Sequence, residues 1–331
     1  MEFAIQVGGG QVRHAQTGIE AIVDEAQLAE SLGFGTVFVP DHYVFEVIGQ
    51  LQPDTPAYEL FFVMATLAQR TRTIRIGSHV ACMLFRHPAT TARLFAQVDE
   101  ASGGRVIAGV GAGWTRAEFR MMGIAFPDVS ERLRIMDEAV AVMRGLWGEA
   151  PFSFRGEYFQ LEDAVCRPRP RQQPLPLMLG GSGNGILRRA GQWADIIHMV
   201  PQIGAAGTTT RESLQAFTDA ALPAKLARVR AAASATGRDP AAIRFGSTIF
   251  NFALTDSPAE TRALADRLGG LFGLTPHDFL THPIALAGTP EEMIAELRRR
   301  ERAHGLALLA INFTDREQIR QFGEQVLPHL A

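Results

Sequence analysis

Two stretches carry residue types that can do chemistry. In Pro40-Asp41-His42 an imidazole stands beside a carboxylate. A histidine titrates near neutrality, and a neighbouring carboxylate can set its charge and tautomer, which makes His42 a candidate general acid or base. A loop histidine bonded only to backbone fits the same residues. In Leu177-Met178-Leu179-Gly180-Gly181-Ser182-Gly183-Asn184-Gly185-Ile186-Leu187 an apolar run stops at a glycine cluster, and a helical pattern begins with Ile186, Leu187 and Ala190. Glycine has no Cβ, so backbone can approach a ligand closely. The open N–H groups of a helix start, with the positive end of its dipole, favour an anion such as a phosphate. A tight strand-to-helix turn without a ligand fits equally.

These stretches need a frame to hold them. Apolar runs at residues 3–7, 36–39, 74–80, 106–110, 177–179, 196–200, 243–250 and 306–312 read as eight strands. Between them, apolar residues at helical spacing predict helices over 19–32, 60–69, 88–101, 132–146, 186–193, about 211–235, 258–268, 290–304 and 316–326. Gly33 is a natural stop for the first helix, and Pro88 suits the first turn of the third. Strand and helix in alternation argue for a parallel sheet with helical crossovers. Eight such units in 331 residues match a (β/α)8 TIM barrel with insertions near 151–173 and 201–210. A doubly wound open sheet is the alternative, but the unbroken rhythm favours closure. A single domain over 1–331 is expected.

Function in such a barrel collects at the C-terminal ends of its strands. Those ends deliver Asp41 and His42; Ser78, His79, Val80 and Met83; Gly111, Ala112, Gly113 and Trp114, with Glu118 beyond; the Gly180–Gly185 loop; His198 and Met199; Asn251; and Asn312. Taken singly, His79 and His198 suit core or pocket, and Glu118 suits the first turn of a helix. No metal spacing and no G-x-S-x-G elbow appears. Gly8-Gly9-Gly10 does not have the G-x-G-x-x-G spacing of a dinucleotide fold. The arginines of 167–171 and 298–302 read as a solvated loop and a solvated helix face.

Composition narrows the class. A net charge of −3 gives no basic footprint for nucleic acid. Cys82 and Cys166 match no disulfide or metal spacing, which suits a reducing compartment. The N-terminus lacks the charge and apolar core of a signal peptide, and no apolar run reaches the ~20 residues of a membrane span. A cytoplasmic globular protein is expected.

The ordered motifs carry more than their parts. Ala29-Glu30-Ser31-Leu32-Gly33-Phe34, Pro40-Asp41-His42, Ile76-Gly77-Ser78-His79-Val80 and Arg86-His87-Pro88 are followed by Gly104-Arg105 and Gly109-Val110-Gly111-Ala112-Gly113-Trp114. Then come Phe154-Arg155-Gly156-Glu157-Tyr158-Phe159, Gly180-Gly181-Ser182-Gly183, Ala190-Gly191, Ala194-Asp195 and Leu286-Ala287-Gly288-Thr289-Pro290-Glu291-Glu292. In this order they resemble the luciferase-like monooxygenase superfamily of (β/α)8 flavin enzymes, and within it the oxidoreductases that use coenzyme F420, an 8-hydroxy-5-deazaflavin.

That resemblance implies hydride exchange between F420 and a small organic substrate. It implies that Asp41 and His42 stand beside the deazaflavin ring, with His42 handling the substrate's proton. It puts Ser78 with His79 and Val80 at a bulge behind the ring, the His79–Val80 peptide being cis. Ala112, Gly113 and Trp114 would line the ring edge, and Gly180, Gly181, Ser182 and Gly183 would hold the cofactor phosphate. The phosphate would then follow strands five and six, whereas barrels commonly use strands seven and eight. No cationic cluster suited to a sugar phosphate is evident. The alternative within the same fold is a two-component monooxygenase that takes reduced FMN and O₂ and depends on a separate reductase; from another class, a non-enzymatic flavin-binding protein would need the glycine loop but not His42. A homodimer is expected; neither nucleic acid nor membrane is expected as a partner.

Overall fold

The computed structural model describes residues 1–8, 18–47, 50–202 and 210–330. Eight parallel strands close on themselves: β1 (Glu2–Gln6), β2 (Thr36–Val39), β3 (Arg75–Ser78), β4 (Val106–Gly111), β5 (Leu177–Gly180), β6 (Ile196–Met199), β7 (Arg244–Ile249) and β8 (Leu306–Ile311). Each pairs with its successor, and β8 returns to β1 with Phe3 opposite Leu309 and Ile5 opposite Ile311. The chain is therefore a (β/α)8 barrel; an open sheet would leave two strands with one unpaired edge each.

Eight helices cover it: α1 (Ile19–Ser31), α2 (Leu60–Arg70), α3 (Pro88–Ser102), α4 (Val129–Leu146), α5 (Asn184–Trp193), α6 (Leu222–Ala235), α7 (Pro290–His304) and α8 (Arg316–Gln325). Their caps explain their bounds. In α3, Pro88 occupies the first turn, the His87 ring accepts from the Ala89 N–H at 3.2 Å, and Gly103 at φ 77° ends the helix. In α7, Thr289 and Glu292 form a reciprocal capping box.

The lower lumen is a packed core of Ala4, Phe38, Ile107, Met178, Ile196, Leu308 and Ala310. Phe38 is fully buried, worth about 3 kcal/mol of apolar burial. A Cβ on Gly77 would lie 2.4 Å from its ring, so glycine there is the condition for Phe38 to fit.

Several expectations need correction. The helix over 211–235 is broken: Arg211–Gln215, a 3₁₀ turn at Asp219–Ala221, then α6, with Pro223 in its first turn where the missing N–H costs nothing. The helix from 258 runs on to Phe272, where Gly273 at φ 69° stops it. The strand from 243 ends at Ile249, and Asn251–Leu254 instead pairs with Ala285–Gly288 in a small parallel sheet outside the barrel. A short helix, Pro276–Thr281, lies between. The insertion at 151–173 contains an antiparallel hairpin of Phe152–Arg155 with Gln160–Ala164. Residues 203–209 of the other insertion lie outside the described residues, as do Gly9 and Gly10. The run at 298–302 is not wholly solvated. Arg300 is 3% exposed and donates to Glu296 and to the Ala285 carbonyl, while Arg299 spans Asp219 and Glu296.

Candidate active site

The chain leaving β2 carries Asp41 and His42 to the barrel mouth. Their side chains go to different partners. Asp41 is buried and accepts a two-pronged bond from Arg86, at 2.8 and 2.7 Å, plus the Cys82 N–H at 2.8 Å. Arg86 also bonds Glu59, and the two carboxylates hold its guanidinium well above its usual range. Asp41 thus fastens the β2 exit to the segment after β3. It is not the carboxylate that faces His42, as its neighbouring position suggested.

That carboxylate is Glu118. It sits on the short helix Arg116–Met121 after β4 and is 1% exposed. Its Oε2 lies 3.1 Å from His42 Nδ1. Its Oε1 accepts the backbone N–H of Tyr43 and, at 3.4 Å, that of Val44. The first-turn reading of Glu118 was right about the helix and missed the burial. Trp114 meets the His42 ring edge-on at 5.7 Å, and Phe45 packs at 5.6 Å. The His42 side chain keeps 19% exposure, so the ring is held without being sealed.

Across the mouth, the segment after β3 forms the expected bulge. The His79–Val80 peptide is cis, and Ala81–Cys82 resumes pairing with β4. Val80 packs on the lumen core and against Gly111 and Gly180, where a Cβ would come within 2.6 and 3.0 Å of it. Ser78 is fully buried; its Oγ donates to the Gly109 carbonyl and accepts the Gly109 N–H, so it ties β3 to β4. Gly113 at φ 73° lets the chain turn beneath Trp114, with Phe119 and Cys82 where a Cβ would stand.

His79 and His198 meet edge to face at 4.5 Å, both against Phe38. His79 Nδ1 bonds Gln6 at 3.1 Å, and His198 Nε2 bonds Thr248 at 2.8 Å. No carboxylate bonds either ring among the described residues. Desolvation pushes His79 down to about 4, and desolvation together with its neighbour pushes His198 well below the usual range. Both rings therefore favour the neutral form.

The glycine loop ends β5. Gly181 takes φ 124°, and its N–H donates to the His198 carbonyl at 2.9 Å. The Ser182 hydroxyl is spent on the Val200 carbonyl at 2.6 Å, so this loop presents backbone rather than a side chain. Gly183 caps α5 with no side-chain bond to the helix start, and a Cβ there would meet only Gln202, at 3.7 Å or beyond. The sequence did not reveal that α6 brings cations here. Lys225 Nζ donates to the Ser182 carbonyl at 3.2 Å, and Arg228 bonds Asn184. Asn251, by contrast, belongs to the small outer sheet.

A barrel whose strand ends converge on a carboxylate-held histidine, a cis bulge and an uncapped glycine loop can be compared with known proteins. The family model described as luciferase-like monooxygenase matches residues 1–321. The chain belongs to the luciferase-like monooxygenase family. It is an oxidoreductase of that family. It is 28% identical over 334 residues to the F420-dependent glucose-6-phosphate dehydrogenase of Amycolatopsis mediterranei, covering 95% of this chain and 96% of that one. It is also 28% identical to the FMNH(2)-dependent dimethylsulfone monooxygenase of Pseudomonas putida, over 73% of this chain and 70% of that one. In fold it is similar to an F420-dependent secondary alcohol dehydrogenase solved with an F420-acetone adduct, with a TM-score of 0.76, 23% identity and coverage of 100% and 99%. Among the described residues of this luciferase-like barrel, no helix is long and apolar enough to cross a membrane, and no group of three or more His, Cys, Asp or Glu side chains is placed to hold a metal ion.

Proposed function

We propose that this protein exchanges a hydride between coenzyme F420 and a small organic substrate, with His42 as the acid/base group. The observation that carries the proposal is the His42 imidazole at the mouth, backed by buried Glu118 and edged by Trp114. A bound deazaflavin would supply the ring carbon that accepts or gives the hydride. His42 would take the proton from a substrate hydroxyl as a carbonyl forms, or return it in the reverse direction. Trp114, Phe45 and Val80 make that surface largely apolar, which keeps water from the reacting carbon. The glycine loop fits an anionic cofactor: it leaves an uncapped helix start at Gly183, with Lys225 and Arg228 alongside. Asp41 and Ser78 would shape the site through Arg86 and Gly109 rather than by touching the cofactor.

A second reading keeps the barrel and uses reduced FMN and O₂, as the name of the Pseudomonas putida relative says of that enzyme. It would need a separate reductase. What favours F420 is His42, since hydride exchange with an alcohol or carbonyl needs a proton partner. Fluorescence titration with oxidised F420 and with FMN in parallel tests the choice. Micromolar binding of F420 with weaker FMN binding is expected; the reverse preference would move the protein to the oxygen-using branch. A homodimer is also proposed, with exposed Phe62 on α2 as a surface candidate, and sedimentation velocity checks it.

A further inference from the structure

The two oxygens of Glu118 have separate duties. Oε1 takes the backbone N–H groups of Tyr43 and Val44, and Oε2 faces His42 Nδ1. An ionised carboxylate is an acceptor only, so the contact with Nδ1 works only if that nitrogen carries the hydrogen. We propose that Glu118 is a positioning residue that holds neutral His42 as its Nδ1–H tautomer, so that the Nε2 lone pair faces the substrate. The proposal deepens the reading of His42 as acid/base group and rests on it for its consequence, though not for its geometry.

The surroundings support the division of labour. Glu118 is 1% exposed and reaches His42 from a different element, the helix after β4, so the bond ties together the loops after β2 and β4. Among the described residues, the other charged groups near the ring are Glu46, on the short strand Phe45–Val47 after β2, and the Asp41–Arg86 pair; both Asp41 oxygens are engaged by Arg86, one of them also by the Cys82 N–H. An unconstrained histidine side chain favours the opposite tautomer, with hydrogen on Nε2, which would leave no base toward the substrate. With Nδ1–H directed at Glu118, the proton balance is complete. With a deazaflavin bound as hydride acceptor for the substrate C–H electron pair, the substrate O–H bond would break with its proton going to His42 Nε2, and Glu118 would stabilise the resulting imidazolium.

The same division makes a sharp test. In Glu118→Gln the amide oxygen can still accept from Tyr43 and Val44, so the loop remains fastened. The amide NH₂ then faces Nδ1 and can only donate, which forces hydrogen onto Nε2. The side chain is nearly isosteric, yet the tautomer inverts. Nitrogen-15 NMR of histidine-labelled protein without cofactor or substrate reads this directly, the His42 signals being those missing from His42→Asn. The Nδ1–H tautomer in the wild type and the Nε2–H tautomer in Glu118→Gln are the expected result. F420 affinity should be unchanged, and kcat should fall about 10²–10⁴-fold with KM little altered. Glu118→Asp, which keeps a carboxylate, should recover part of that loss. An Nε2–H tautomer in the wild type, or no change of tautomer in Glu118→Gln, overturns the proposal whatever the activity. The expected tautomers with undiminished turnover would support the positioning role and instead overturn the acid/base reading of His42.

Discussion

His42 and the His79–His198 pair stand at one end of the same barrel in opposite chemical settings. His42 has an anionic partner, Glu118, and keeps a solvent-reachable edge. His79 and His198 meet edge to face and, among the described residues, bond only to neutral Gln6 and Thr248. Low dielectric without a counter-charge favours the uncharged ring, which is why both are pushed down. Residue type therefore says little about a histidine's task. What separates a proton carrier from a wall is whether another element delivers a carboxylate to it.

The comparison breaks most clearly at His42. In His42→Ala, kcat should drop about 10²–10⁴-fold while F420 affinity stays within a few-fold, because the ring moves a proton and does not grip the cofactor. Pre-steady-state reduction of F420, with the Kd from titration, separates the two. Unchanged turnover would place His42 in the same class as His79 and His198.

The barrel was legible because its signal is repeated: eight apolar runs and nine helical patterns each repeat the same vote. The breaks were read less well: Pro223 is a local helix-start signal that the apolar spacing over 211–235 masked, and the 251–254 strand depends on where the chain packs. At the site, backbone-borne features read well. The strand-to-helix turn at Gly180–Gly183 was visible in the glycines themselves, whereas the His79–Val80 bulge was legible only through the family resemblance. Side-chain pairings read poorly. Asp41 looked like the partner of His42 because it is next to it, whereas the partner is 76 positions away. Nothing local distinguishes a buried Glu118 from an ordinary first-turn acid, and the same blindness made Arg300 look solvated.

The His79 side of the comparison sharpens with pH. In the unfolded chain its imidazole titrates near 6.5, and in the folded barrel it is pushed down to about 4. Between those values the unfolded state binds the extra proton, so stability is full above about pH 6.5 and is lost as pH falls toward 4. The ring retains some exposure at the mouth, so the loss is at most about 3 kcal/mol. His198 acts in the same direction. Glu25 on α1 acts oppositely: burial pushes it up to about 7, so its contribution recovers as pH falls from there toward 4.5. Urea unfolding of wild type and His79→Gln at pH 7.5 and 4.5 isolates the histidine. The stability gap between the two proteins should narrow at the lower pH, and a constant gap would mean His79 is not held neutral.

The smallest expected effect tests whether binding is separate from proton transfer. Gly183 has φ −70°, which alanine adopts freely, and a Cβ there would meet nothing closer than Gln202 at 3.7 Å. Gly183→Ala should therefore cost no more than about 1 kcal/mol, the penalty of alanine for glycine at an N-cap. Gly109 makes the control, since its Cβ would stand 2.0 Å from the Ser78 carbonyl oxygen and Gly109→Ala cannot fold unchanged. A phosphate drawn to the start of α5 needs the bare backbone that the new methyl covers. F420 affinity should weaken by roughly 3–10-fold, about 1 kcal/mol, with kcat at saturation preserved. That is the inverse of His42→Ala, where kcat falls and affinity holds. Undiminished affinity in Gly183→Ala would remove the phosphate from this helix start while leaving the case for His42 intact, because the two regions would then fail independently.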